Sequence, residues 1–173
     1  MPVPGHGADA RSRIRIEVPL AVRAAGGRHL ILRTSWVYGT RGKNFLLTML
    51  KLSRERDRLR VVADQVGCPT STLTLATACW RAIGIGADPD GPQVLHWSDA
   101  GAASWYDFAM AIGELAQAHG LLSQAARVEP ITTADYPTPA TRPSYSLLDC
   151  TASRQALGLP AVHWRDALAE VLA

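Results

Sequence analysis

Leu30-Ile31-Leu32-Arg33-Thr34-Ser35-Trp36-Val37-Tyr38-Gly39 is the stretch on which the fold turns. His29 to Leu32 is a short apolar run, as expected of a strand buried in a parallel sheet. It gives way to Arg33-Thr34-Ser35, where a ligand crevice opens outside the carboxyl end of a strand in an α/β sheet. Upstream, Leu20 to Ala25 suits a short helix that Gly26-Gly27 stops. Downstream, Phe45, Leu46, Met49, Leu50 and Leu52 recur near helical spacing and predict an amphipathic helix over residues 44–56. Leu59 to Ala63 is β-like and runs into a turn from Asp64 to Thr70, and Leu73 to Ile83 reads as a buried helix, apolar on most faces. Gly84, Gly86 and Asp88 to Pro92 break the chain before a short strand at Gln93 to Trp97.

Ser104 opens the next helix with Asp107 three residues on, a capping box with Asp in place of Glu. Trp105, Phe108, Ala109, Ile112, Leu115 and Ala116 form its apolar stripe, and such a stripe is core before it is anything else. Val128 to Ile131 is a further strand candidate, Tyr136 to Pro143 a Pro-rich loop, and residues 151–157 and 164–172 short helices. Strand and helix alternate, so the class is α/β.

Composition narrows the function. A chain of 173 residues is one domain, or one with a small appendage, and 47% hydrophobic with 19% charged residues describes a globular protein. The net charge of +3 suits a phosphate-bearing ligand but falls short of a nucleic-acid footprint. Cys68, Cys79 and Cys150 form no CxxC pair, which argues against a zinc site or disulfide scaffold and fits a reducing cytoplasm. The histidines are scattered, and no metal is assigned. No apolar run approaches the ~20 residues of a membrane span. Residues 1–17 mix Pro, Gly and charge, read as a loose arm, and show no secretory signal.

The chemistry is marked as much by what is missing. Gly5-His6-Gly7-Ala8-Asp9-Ala10 is formally GxGxxA, but no strand precedes it, so it reads as chance. Ketone reduction needs an acid beside the growing alkoxide, commonly a Tyr-x-x-x-Lys pair whose cation lowers the tyrosine pKa. Four residues after Tyr38, Tyr106, Tyr136 and Tyr145 stand Gly42, Met110, Ala140 and Asp149. Arg54 to Arg60 is the densest charge run and reads first as a solvated helix end, with Arg58 or Arg60 against a diphosphate as the sharper alternative. Trp36 is either a core anchor or a stacking wall for a sugar face, and Thr34 and Ser35 add hydroxyls beside it. Asn44 is by default a helix cap, and Gln65 and Thr70 belong to a Gly/Pro turn.

At these residues the chain resembles the dTDP-4-dehydrorhamnose reductases, extended short-chain dehydrogenases of dTDP-L-rhamnose synthesis. The likeness rests on residues 30–39, Asn44-Phe45, Leu59 to Thr70, Ser104 to Ala109, Pro130 to Ala134 and Tyr136 to Pro143. It implies an incomplete Rossmann-like parallel sheet (its last strands only) joined to a small C-terminal α/β substrate-binding domain over residues 19–173. It implies NADPH, or NADH, as reductant and a dTDP-sugar as partner. Trp36 would line the sugar pocket and Thr34 and Ser35 the nicotinamide end, with Asn44, Gln65 and Arg142 as nucleotide or diphosphate contacts.

The chain also departs from the family. The glycine-rich loop has no counterpart, and Asp9 and Arg13 stand where the tyrosine and lysine belong in one register. An Asp that often follows the Pro-Thr pair is replaced by Leu73-Thr74-Leu75. Residues 1–18 therefore read as the product of a truncated or frame-shifted gene, and upstream DNA encoding the missing half in some frame is the expected finding. No catalytic residue is assigned, and the isolated chain is expected to be inactive, partnered by a complementing N-terminal half or by a second copy. The alternative is a binding subunit of the same fold, like the beta subunit of methionine adenosyltransferase. Strands near residues 29–33 and 93–97 should lack sheet neighbours, and unpaired apolar edges associate. Size-exclusion chromatography over a concentration series should show a marginal, self-associating chain; a sharp monomeric two-state melt would contradict this.

Overall fold

The computed structural model describes residues 20–86, 94–139 and 142–173. The glycine pattern at residues 5–10, the N-terminal arm and the Asp88 to Pro92 break lie outside them. After a helical segment over residues 20–24, strand β1 (Ile31–Thr34) pairs in parallel with β6 (Val94–Trp97), Ile31 opposite Val94 and Thr34 opposite Trp97. Strand β6 falls within its predicted run, whereas β1 starts two residues after His29 and continues through Arg33 and Thr34, past the end of the apolar run. Their carboxyl ends, Thr34-Ser35-Trp36 and Ser98-Asp99, emerge side by side.

Helix α1 (Phe45–Glu55) buries Leu46, Met49 and Leu50, and its N-terminus is capped by Asn44, whose Oδ1 accepts the Leu47 N–H at 3.1 Å. Strand β3 (Arg58–Val62) pairs in parallel with β8 (Arg127–Ile131), so the charge run at 54–60 is divided between a helix end and a strand. Arg58 and Arg127 stand directly opposite each other, and both reach Glu129, at 3.5 and 3.8 Å. The like charges are thereby offset on an exposed rung, an arrangement worth little in stability. Four two-residue strands complete the pairing: β2 (Val37–Tyr38) beside β5 (Thr70–Ser71) in parallel, and β4 (Val66–Gly67) antiparallel to β7 (Ala103–Ser104).

Helix α3 (Trp105–Ala118) starts on the expected capping box, with Ser104 Oγ accepting the Asp107 N–H and Asp107 accepting the Ser104 N–H. Its stripe makes the main core, in which Phe108, Ile112 and Leu168 of α5 (Trp164–Leu172) are fully enclosed with Tyr38 and Leu46. A second, smaller core joins Leu95 and Trp97 of β6 to Ala78 and Ala82 of α2 (Thr72–Ile85) and Leu157 of α4 (Thr151–Leu157).

One expectation fails. Helix α2 is not buried: only Ala78 and Ala82 are enclosed, with Leu75 partly buried against the same core, whereas Leu73, Trp80 and Ile83 are 47%, 73% and 68% exposed. A helix apolar all round needs cover on two sides. The short β1–β6 pair and α4 cover one side, and among the described residues nothing covers the other.

A tie at the carboxyl end of the β3–β8 pair orders the loop that follows. Both carboxylate oxygens of Asp64 accept the Thr133 N–H at 2.9 Å, and Asp64 Oδ1 also accepts the Thr133 hydroxyl at 2.7 Å. Thr133 Oγ1 in turn accepts from the buried Gln65 amide at 3.0 Å. The Thr133 hydroxyl and amide hold the Asp64 carboxyl below its ordinary pKa. A depressed carboxylate pKa adds stability above the unfolded-state value and loses it as pH falls through the folded one.

Two outcomes follow from the packing and the tie. Phe108→Ala empties the centre of the main core and should cost about 3–5 kcal/mol, read by urea denaturation. Asp64→Asn should melt below wild type at pH 7, and the gap should close as pH drops below about 4. A gap unchanged down to pH 3 would show that the carboxylate's charge plays no part in the tie.

Candidate functional site

The candidate site forms where β1 ends. Thr34 is exposed, while the Ser35 Oγ is buried with no hydrogen-bond partner. Trp36 has φ of 49°, the left-handed region, and it is the one non-glycine among the described residues with positive φ. For a bulky residue this conformation costs about 1–3 kcal/mol and persists only where its surroundings over-determine it.

Three contacts do so. The Trp36 carbonyl accepts the Thr70 N–H at 3.1 Å, which ties the loop to β5. The indole lies against Gly67, where even a Cβ would come within 2.6 Å of the ring. Its face stacks on Trp105 with centroids 3.6 Å apart and planes 9° from parallel. Such a stack contributes about 0.5–1.5 kcal/mol beyond burial, and partial burial of an indole adds a similar amount, so the strain is offset. Trp105 is itself braced by Phe45, at 4.8 Å, and by the capping box that starts its helix.

The core-anchor reading of Trp36 holds in part. The residue is half-buried, with one indole face given to a second tryptophan. Asn44 orders the neighbouring loop: Nδ2 donates to the carbonyls of Gly39 at 2.9 Å and Arg41 at 3.1 Å while Oδ1 caps α1. Both amide hydrogens are spent inside the chain, which favours the capping role. Gln65 is likewise turned inward onto Thr133. Arg142 is exposed, two residues before a segment that brackets β4: Val66 N–H donates to Ser144 O, and Ser146 N–H to Val66 O, both at 2.8 Å. The structure thus gathers Trp36, Gly67 and the Ser144–Ser146 segment around β4, and it places Thr34 and Ser35 at the neighbouring end of β1.

Two features escaped the sequence reading. Gly67 looked like part of a turn, yet the space it leaves admits the Trp36 ring. Asp99, just past β6, is 3% exposed and accepts the Ser71 N–H at 2.9 Å and the Thr74 hydroxyl. Burial raises its pKa against those hydrogen bonds. Asp99 thus joins Ser71 and Thr74, beside the position where the family's expected Asp is replaced. No residue pattern near Asp99 announces this; only the β1–β6 pairing brings it there.

The buried groups at this end are poor proton donors or nucleophiles. Burial first, and Asp99 next, push the Tyr38 hydroxyl far above the tyrosine range. The same causes push the Cys68 thiol up to about 12. Among the described residues, no group of three or more His, Cys, Asp and Glu is placed to hold a metal ion. No described helix is long and apolar enough to cross a membrane.

Comparison with known proteins places this geometry. A dTDP-4-dehydrorhamnose reductase of Aggregatibacter actinomycetemcomitans is 42% identical over 148 residues, covering 84% of this chain and 50% of the relative. The crystal structure of a dTDP-4-dehydrorhamnose reductase from Clostridium acetobutylicum superposes with a TM-score of 0.83 at 33% identity, over 98% of this chain and 57% of its own. A reductase of the same name from Bacillus anthracis, solved in complex with NADP, gives 0.77 at 30% identity, over 93% and 52%. The chain spans about half the length of the curated relatives it matches. The family described as the RmlD substrate binding domain matches residues 6–173. On that span and these likenesses, the chain belongs to the RmlD substrate-binding-domain family.

Proposed function

We propose that this chain is the sugar-nucleotide-binding portion of a dTDP-4-dehydrorhamnose reductase. Its ligand would be a dTDP-activated 4-keto-6-deoxy sugar, dTDP-4-dehydro-L-rhamnose, whose C4 carbonyl is reduced to give dTDP-L-rhamnose. The observation that carries this reading is the family match over residues 6–173 to a domain described as substrate binding. The site supports it in three ways. Trp36, held between Trp105 and Gly67, offers its indole edge at the end of β1, an apolar surface suited to contact with a deoxysugar. Arg142, exposed beside β4, presents a guanidinium fork matched to diphosphate oxygens. Gln65 and Asn44 serve the same site by fixing the loops around it.

NADPH, or NADH, when bound supplies the hydride. The residues here fit the end of such a cofactor: the Ser35 hydroxyl is buried without a partner at the carboxyl end of β1, and Thr34 stands exposed next to it. Two hydroxyls do not hold a dinucleotide. The proton donor is not Tyr38, which is enclosed by the core and hard to ionise. The donor and the phosphate cradle would come from residues other than these.

Calorimetric titration of the purified chain with dTDP-L-rhamnose and, separately, with NADPH tests this division. Binding of the sugar nucleotide with no heat from NADPH is the expected result. NADPH oxidation by the chain alone in the presence of the keto sugar, or binding of NADPH but not of the sugar nucleotide, would overturn the proposal.

A further inference from the structure

Trp36 does not hold its own conformation. Its φ of 49° is one that its side chain disfavours, so the ring's position is dictated by what surrounds it. On the side of Gly67 there is no room for even one more carbon. On its stacked face, Trp105 lies parallel at 3.6 Å. Trp105 in turn has little freedom: it is the first residue of α3, inside the Ser104–Asp107 capping box, and Phe45 packs against its ring. Phe45 follows Asn44, the cap of α1. The starts of two helices thus converge on one ring, and that ring backs the strained one.

We propose that Trp105 is a positioning residue for sugar-nucleotide recognition, acting through Trp36: it sets the plane of the Trp36 indole, and Gly67 sets its depth. This rests on the reading of the site given above. It assigns a recognition role to a residue that, by its spacing in the α3 stripe, would otherwise count as core alone. The two roles differ in a measurable way. If Trp105 merely filled space, its loss would weaken the fold and would add to any loss at residue 36. If it acts through Trp36, its loss weakens binding while Trp36 is present and costs nothing further once Trp36 is gone.

The test is a double-mutant cycle on the purified chain, with dTDP-L-rhamnose binding read by calorimetry and the Trp–Trp exciton couplet read by far-ultraviolet circular dichroism. Wild type should show the couplet. Trp105→Phe should lose it, stay folded and bind about threefold more weakly, and Trp105→Ala about tenfold, the order expected for losing part or all of a stacked pair. Trp36→Ala with Trp105→Ala should bind within about twofold of Trp36→Ala alone. Trp80→Ala, remote and 73% exposed, should change neither signal. Should Trp105→Ala fail to fold, Trp105→Phe carries the comparison.

Absence of a couplet in wild type, unweakened binding by a folded Trp105→Phe, or fully additive losses in the double variant would each overturn the positioning role. A wild-type chain that shows the couplet but binds no dTDP-L-rhamnose refutes the functional reading itself, and the positioning role falls with it. A wild type that binds regardless of residue 105 refutes the positioning role alone.

Discussion

The stack of Trp36 on Trp105 over Gly67 is the contact on which the rest of the site depends. It joins three parts of the chain that are far apart in sequence: the loop after β1, the start of α3 and the β4 turn. Each partner is fixed by ordinary local chemistry. Gly67 lacks a side chain, Ser104 and Asp107 cap a helix, and Thr70 donates its backbone N–H to the Trp36 carbonyl. Together they hold a large aromatic residue at a backbone angle it disfavours by about 1–3 kcal/mol. A conformation that costs this much and still persists marks the place where the fold gives up stability for shape.

The buried polar groups behind the stack follow the same logic. Asp99 satisfies the backbone of Ser71 and the hydroxyl of Thr74, and its own carbonyl accepts the Cys68 thiol at 3.0 Å. Removing a partner from such a knot leaves a desolvated group at a cost of about 1–3 kcal/mol, so the knot ties β5 and the start of α2 to the end of β6. Asp64, by contrast, does its work at the surface, anchoring the start of the Thr133 to Pro139 segment to the end of β3. One carboxylate fixes the floor of the site and the other fixes the loop at its side.

Much of this was legible in the residues. The apolar runs at 29–32 and 93–97 carried the β1–β6 pair, the spacing of Phe45 to Leu52 carried α1, and the Ser104/Asp107 box marked the start of α3. The two-residue strands β2, β4, β5 and β7 were not legible, because two residues have no period and their partners lie tens of positions away. The exposed face of α2 was misread for a related reason: a run such as Leu73 to Ile83 shows that a helix has apolar surface, not how much of it neighbouring elements cover. At the site, Thr34, Ser35 and Trp36 stood out by their place at the end of a strand. Gly67 and Asp99 did not, since their roles exist only once distant segments meet.

The central claim is that a sugar nucleotide is read by the Trp36 ring as the Trp105–Gly67 seat presents it. The most direct measurement is the set of indole Nε1–H resonances from the five tryptophans in a proton–nitrogen correlation spectrum, followed as dTDP-L-rhamnose is added. The account predicts that the Trp36 signal moves most, Trp105 moves with it, and the exposed Trp80 stays in place. A saturable shift at Trp80 with Trp36 unmoved would contradict it.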